Sequence, residues 1–242
     1  MFDTIILLTG PAEQPVLGDA LRRHNPRLSV RAALTLDDLQ ACPPAVLQRA
    51  RLIAFATSAV VPADILSKLG YGAYNFHPGP PSYPGRTPAH FAIYDGASEF
   101  GATAHVMVER VDAGPIVGVE LFAIPPGTDV LTLSELVYQQ MARLFWRLAA
   151  DLATQAAPLP VLPVEWCGRK SSLARYAELC AIAPTIAKND LDRRIAAFGH
   201  GHFGIDPTVT LHGHRFRYVA PEVAVDDTPS IAPEQPVTEA AE

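Results

Sequence analysis

Apolar runs alternate with helically spaced segments through the first half of the chain. Thr4 to Thr9 (Thr-Ile-Ile-Leu-Leu-Thr) ends at Gly10-Pro11 and predicts a buried strand of a parallel sheet. Leu28–Leu34, Leu52–Ala56, Ala73–Phe76, Ala102–Val108 and Ile116–Ile124 predict further strands. Between them, helices are expected over Val16–Arg23, Ala45–Ala50, Pro62–Leu69 and Pro88–Tyr94. The last two carry Pro in the first turn, and Asp95-Gly96 closes the last. This alternation predicts an α/β fold: an open, mostly parallel twisted sheet with helices on both faces.

Thr132-Leu-Ser-Glu135 has the form of a capping box. It should open a long helix whose apolar stripe is Leu133, Leu136, Val137, Met141, Leu144, Phe145, Leu148 and Leu152. Pro158 and Pro160 then interrupt the pattern and mark a boundary. Three units are expected: residues 1–157, a small α+β subdomain over 158–220, and a disordered acidic tail over 221–242. The middle unit should hold one helix, Leu191–Phe198, and a strand pair within Val209–Tyr218.

Composition sharpens this layout. Of the 242 residues, 49 % are hydrophobic and 18 % charged, which excludes a disordered chain. The net charge of −6 resides in the tail: Glu222 to Glu242 holds six acids and no Lys or Arg, leaving 19 acids against 19 bases elsewhere. Such a neutral body offers no basic patch for nucleic acid. The early apolar run Ile5–Leu8 is too short for a signal peptide, and Leu52–Ala63 is broken by Thr57, Ser58 and Pro62, so no membrane span is expected. Cys42, Cys167 and Cys180 form no CxxC pair, which fits a reducing cytoplasm. His200-Gly-His202 and His212-Gly-His214 suggest imidazole ligands, but no carboxylate or Cys completes a metal-binding spacing, and no metal is expected.

The residues best suited to chemistry are Asn75 and His77. Two positions apart at a strand end, they point to the same side, where open parallel sheets bind ligands. Asp112, in a Val-Asp-Ala-Gly-Pro loop beyond the next helix and strand, can return to them. Amide donor, imidazole and carboxylate together suit acyl transfer. Singly each reads as a turn former or a structural hydrogen-bonding residue. The stiff loop Gly79-Pro80-Pro81-Ser82-Tyr83-Pro84-Gly85-Arg86 follows and suits a preorganised site.

In context the set gains weight. Asn75, His77, Tyr83, Gly85, Pro88, Ala92-Ile93, Gly96, Gly101, Thr103, His105, Asp112, Gly114 and Ile116 keep the order and nearly all spacings of one motif. The segment resembles the catalytic core of the folate-dependent formyltransferases, of the methionyl-tRNA formyltransferase kind. One stretch departs: the family's Ser-Leu-Leu-Pro is here Gly79-Pro80-Pro81-Ser82. Its Arg-Gly becomes Pro84-Gly85, with Arg86 one place later.

The resemblance implies a Rossmann-like domain using 10-formyltetrahydrofolate to formylate the primary amine of a small molecule, such as an amino sugar nucleotide or a hydroxyornithine-type amine. It implies Asn75, His77 and Asp112 as catalytic residues, with the Asp112 carboxylate raising the His77 pKa. The folate is expected against Phe55, Thr57, Val60, Val61, Val108 and Val111, and the acceptor near Gly10, Tyr83 and Arg86. Hydrolysis of the same folate, and non-catalytic binding of a folate or nucleotide, are the alternatives. For the first, the amino-terminal regulatory domain such hydrolases carry is not expected, since the sheet is expected to begin at Thr4. A tRNA acceptor is disfavoured by the neutral body and the short carboxyl-terminal unit, and a homodimer through that unit is compatible with the layout.

Overall fold

The computed structural model describes residues 2–167 and 169–220; the acidic tail lies outside the described residues. Six strands form one sheet: β1 (Thr4–Leu8), β2 (Ser29–Ala33), β3 (Ala50–Phe55), β4 (Ala73–His77), β5 (Glu99–Val106) and β6 (Ile116–Ala123). Their order is β2-β1-β3-β4-β5-β6. β1 to β4 pair in parallel, whereas β5 and β6 are antiparallel additions. Strand order reverses between β1 and β3, so the carboxyl ends of β1, β3 and β4 border the crevice where such sheets bind ligands.

Alternation along each strand sorts the two faces. Ile5 and Leu7 pack with α1 (Glu13–His24) and α6 (Val130–Thr154), while Ile6 and Leu8 pack with α2 (Leu36–Gln40), α3 (Pro44–Leu47) and α4 (Ala63–Leu66). On β4, Tyr74 and Phe76 enter the α1/α6 core, so Asn75 and His77 face the other way. α5 (Pro88–Asp95) follows the Pro-rich loop and ends at Gly96, whose left-handed backbone (φ 68°) lets it cap the helix.

The expected capping box does not open α6. Asp129 is the cap, accepting the Thr132 N–H at 2.8 Å, so Thr132 already lies in the first turn. The apolar stripe is buried at Leu133, Val137, Met141, Leu144, Phe145 and Leu152. The other end of α6 is tied down by a residue that the strand reading placed outside β3. Arg51 is 0 % exposed, and its guanidinium donates to the carbonyls of Leu152 at 2.7 Å, Ala157 at 3.0 Å and Tyr71 at 3.2 Å. It also stacks on Phe2 and Tyr74. Carbonyls at a helix carboxyl end carry partial negative charge, which suits a cation.

Beyond Pro158 the chain first crosses the sheet domain: Leu159 N–H donates to the Tyr74 hydroxyl and Leu162 N–H to the Ile116 carbonyl. It then forms α7 (Leu173–Cys180), which sequence patterning missed, and β7 (Ala181–Ile182). After these come α8 (Lys188–Phe198), β8 (Thr208–Leu211) and β9 (His214–Arg217). The last three strands form a small sheet. Phe91 of α5 packs with Tyr176, Leu179, Ala197 and Phe198, joining this unit to the first. Among the described residues no helix is long and apolar enough to cross a membrane.

Candidate active site

Asn75 and His77 stand beside β5, where Asn75 pairs with His105 and His77 with Thr103. Asn75 Nδ2 lies 3.1 Å from His105 Nε2. The other nitrogen of that ring, Nδ1, is 2.9 Å from the Val106 carbonyl, an acceptor, so it carries the proton. His105 Nε2 therefore accepts from Asn75 in the neutral ring. By the same logic His77 Nε2, 3.0 Å from the Tyr83 carbonyl, carries its ring's proton, and Nδ1 is left as a lone pair.

Asp112 enters from the loop between β5 and β6. Its backbone is left-handed (φ 47°), and its Oδ2 accepts the Gly85 N–H at 2.7 Å. That oxygen lies 3.6 Å from His77 Nδ1, while Oδ1 lies 3.3 Å from His105 Nε2. In that tautomer Oδ1 is buried without a hydrogen-bond donor, and a proton on His105 Nε2 would supply one. Thus Asp112 holds its place through the loop backbone and approaches both imidazoles, rather than anchoring His77 alone. Gly85 has to be glycine: at φ 100° a side chain is strained, and a Cβ would come 2.2 Å from the Ser171 carbonyl. Thr103 Oγ donates to the Gly79 carbonyl at 2.7 Å and secures the start of the same loop.

These groups border a cleft of about 680 Å³, within the usual range for a small-molecule site. Thr57, Val60, Val61, Val108, Val111 and Arg86 line it together with Asn75, His77 and Asp112. Three expected residues do not. Phe55 is 1 % exposed in the core against Phe76 and Phe145. Gly10 sits beside Glu13, which accepts the Tyr138 hydroxyl, and lies outside the cleft. Tyr83 packs its ring near Phe100 and presents only its carbonyl to His77. Five non-glycine residues among those described have positive φ, and four of them (Ala56, Thr87, Asp112, Phe203) line the cleft. Each costs roughly 1–2 kcal/mol, so strain is concentrated at this site.

Residues 46–148 match the family described as formyl transferase. Among solved structures, a sugar N-formyltransferase from Shewanella sp. FDAARGOS_354 superposes with a TM-score of 0.72 at 16 % identity, covering 91 % of this chain and 97 % of that one. A 4-N formyltransferase from Francisella tularensis gives 0.68 at 16 %, covering 90 % and 97 %. The N-formyltransferase from Helicobacter canadensis, solved with folinic acid and dTDP-3-aminofucose, gives 0.59 at 11 %, covering 88 % and 85 %. At these identities the likeness is one of fold.

Part of the cleft, and one ring packed against its imidazoles, come from outside residues 46–148. Trp166 sets its ring edge-on to His77 and His105, at 5.7 and 5.1 Å between centroids, and donates to the Gly114 carbonyl at 2.8 Å. Ser171 exchanges backbone hydrogen bonds with Pro84 and Arg86, and Lys170 donates to the Val111 carbonyl. His105 stood in the sequence motif without a role; its pairing opposite Asn75 in the antiparallel β5 makes it part of the cluster. Ser171 carried no local signal.

Burial decides the protonation of the central imidazole. It pushes the His77 pKa below the ordinary histidine value, against the pull of the Asp112 carboxylate and the Tyr83 carbonyl, and His105 lowers it further. This reverses the rise expected from a carboxylate neighbour: a ring 4 % exposed loses more in hydration than one anion 3.6 Å away returns. Asp112 is itself raised by burial, but His105, His77 and the Gly85 N–H outweigh this and keep it below the usual carboxylate range. The site at neutral pH is a neutral imidazole facing an anionic carboxylate. No three His, Cys, Asp or Glu side chains among the described residues are arranged to hold a metal.

Proposed function

We propose that this protein transfers a formyl group from 10-formyltetrahydrofolate to the primary amine of a small molecule, with an amino sugar as the acceptor the neighbours favour. One observation carries the reading: Asn75, His77, His105 and Asp112 converge at the wall of one cleft. The fold neighbours add support, since two are named sugar or 4-N formyltransferases and a third was solved with folinic acid and an amino sugar nucleotide.

The cleft suits a folate. Val60, Val108 and Val111 are 49 %, 39 % and 40 % exposed around it, an apolar lining for a flat heterocycle. When bound, the folate supplies the reactive formyl carbon. Asn75 spends one N–H on His105 and keeps the second for the negative charge that develops on the formyl oxygen as the amine attacks. His77 Nδ1, with its lone pair free, takes the amine proton. Asp112 then stabilises the resulting imidazolium, which returns the proton to the folate nitrogen as the bond from that nitrogen to the formyl carbon breaks, the carbonyl re-forms and tetrahydrofolate leaves. His77 thus acts as a proton carrier rather than a second oxyanion donor.

The test is release of tetrahydrofolate from 10-formyltetrahydrofolate in the presence of a panel of amino sugars. Asn75→Ala should lower the rate about 10²–10³-fold, and His77→Ala at least as much. Retention of more than half the rate by both variants would sink the assignment.

A further inference from the structure

The carboxyl-terminal part of the chain reaches the cleft twice. The segment after α8 brings His202 within 5.3 Å of His90, between ring centroids, and Phe203 under the Arg86 guanidinium at 5.7 Å. The segment between α6 and α7 instead runs as a strap over the loops that carry the reacting groups. Leu159 is buried near its start and Ser171 at its end. Among the described residues from Pro160 to Lys170, Trp166 alone is not exposed. Such a strap is held by one inward side chain and by its hydrogen bonds.

Those bonds are shared between two loops. The Trp166 indole N–H donates to the Gly114 carbonyl at 2.8 Å and Lys170 Nζ to the Val111 carbonyl at 2.7 Å, so the strap grips the Asp112 loop on both sides of Asp112. The Cys167 N–H donates to the Pro81 carbonyl at 3.0 Å and the Ser171 N–H to that of Pro84 at 2.9 Å, which grips the Pro-rich loop on both sides of Tyr83. Tyr83 supplies the carbonyl that fixes His77 Nε2. Between these holds lies the Trp166 ring, at 73° to His77 and 85° to His105. It does not line the cleft, so it backs the imidazoles rather than facing a ligand. Its hold on Gly114 reaches His105 by a second route. A Cβ on Gly114 would come 1.9 Å from the Val106 carbonyl oxygen, and that oxygen accepts the His105 Nδ1 proton.

We propose that Trp166 is a positioning residue for formyl transfer: by clamping the Asp112 loop to the Pro-rich loop and closing the back of the His77–His105 pair, it sets the distances among His77, His105 and Asp112 and keeps water off both rings. The inference rests on the formyl-transfer reading and extends it to a residue outside residues 46–148. Trp166 touches no reacting atom and acts through the imidazoles. Misplacing such groups by about 1 Å can cost about 100-fold in rate. The charged groups that act on His77 are Asp112, from the loop between β5 and β6, and His105 of β5. The strap's own charges, Glu165, Arg169 and Lys170, are exposed. What Trp166 adds at the rings is therefore contact and exclusion of water, not charge.

Kinetics of Trp166→Ala and Trp166→Phe in the full chain, with 10-formyltetrahydrofolate and an amine that it formylates, test this. Trp166→Ala should lower kcat of the folded protein about 100-fold while the KM of folate and of amine each stay within about twofold. Trp166→Phe keeps a ring without the N–H and should recover about tenfold of that loss. His77 must be neutral to take a proton, and water admitted behind it raises its depressed pKa toward the ordinary value. The acid fall in kcat should therefore begin at higher pH in Trp166→Ala than in the unaltered chain. A merely structural role would shrink the folded fraction and leave that limb where it was. Full kcat in folded Trp166→Ala, an unmoved acid limb, or a Trp166→Phe no better than Trp166→Ala overturns the proposal. A second measurement needs neither turnover nor a change at Trp166. Trp146→Phe leaves Trp166 as the only tryptophan of the chain. A protonated imidazole in contact with an indole quenches its emission, so emission should fall with pH as His77 and His105 take protons; constant emission through that range, with the fold intact, also overturns it. The two readings fail separately. Quenching without formyl transfer to any amine sinks the transferase assignment alone, and transfer at full kcat by Trp166→Ala sinks the positioning role alone.

Discussion

Two parts of one cleft are built by different rules. Around Asn75, His77, His105 and Asp112, two neighbouring strands of a single sheet and the loop that follows the second supply the groups, and packing and backbone contacts hold them in place. Around Arg86, His90, His202 and Phe203, the groups come from segments about a hundred residues apart. They meet only because α5 packs on α7 and α8. The first arrangement suits a reaction shared by many proteins. The second varies with every change in a carboxyl-terminal unit and suits a choice among acceptors. The contrast teaches that the reaction and its substrate preference can be separated physically inside one cavity.

That contrast can be broken at either part. The largest effect is expected at the sheet: Asn75→Ala and His77→Ala should reduce kcat by about 10²–10³ with little change in acceptor KM. An equal loss in KM would mean that Asn75 and His77 bind the acceptor instead of serving the reaction. Next comes Arg51→Met, which leaves three carbonyls, that of Leu152 buried, without their donor and should destabilise by about 2–4 kcal/mol in denaturant unfolding. It touches neither group of cleft residues, so kcat of the folded fraction should be unchanged. Phe203→Ala should raise acceptor KM about fivefold, a loss near 1 kcal/mol, with kcat held; a fall in kcat alone would place Phe203 with the reacting groups.

The gentlest probe is pH. His77 must be neutral to accept a proton, and its pKa is depressed, so kcat should stay level as pH drops through the ordinary histidine range. It should fall only below that range. A decline already centred near an unperturbed histidine pKa would show that burial does not dominate at this ring. Stability has its own acid limb. Between the ordinary value of 6.5 and about 4, the unfolded chain binds a proton at His90 that the folded chain refuses, so stability falls as pH falls through that window. His90→Gln should flatten this limb in thermal unfolding scans across the same range.

Much of the sheet was legible because parallel strands buried on both faces must read as short apolar runs, and β1, β3 and β4 do. Boundaries failed where a polar residue belonged to a buried element. Arg51 inside β3 looked like a strand exterior until the α6 carbonyls around it were visible. The Thr132 box lost to Asp129, which binds the same N–H three residues earlier, a competition between two good caps that the pattern alone did not rank. α7 escaped notice because its buried positions, Tyr176, Leu179 and Cys180, are few and follow a Pro-rich stretch.

In the cleft, Asn75, His77 and Asp112 could be named from spacing, because a strand repeat of two residues puts the first pair on one side whatever the fold. Phe55 could not be placed, since the same repeat does not say which face of the sheet a strand end presents. What the sequence determined by itself was local: strand faces, loop stiffness and the family motif between Asn75 and Ile116, all governed by interactions over a few residues. The tertiary structure alone decided that His105 pairs with Asn75, that Trp166 covers both imidazoles, that His90 meets His202, and that His77 is neutral. Each depends on burial and on contacts between segments remote along the chain, and desolvation belongs to no residue until the surrounding protein has excluded the water.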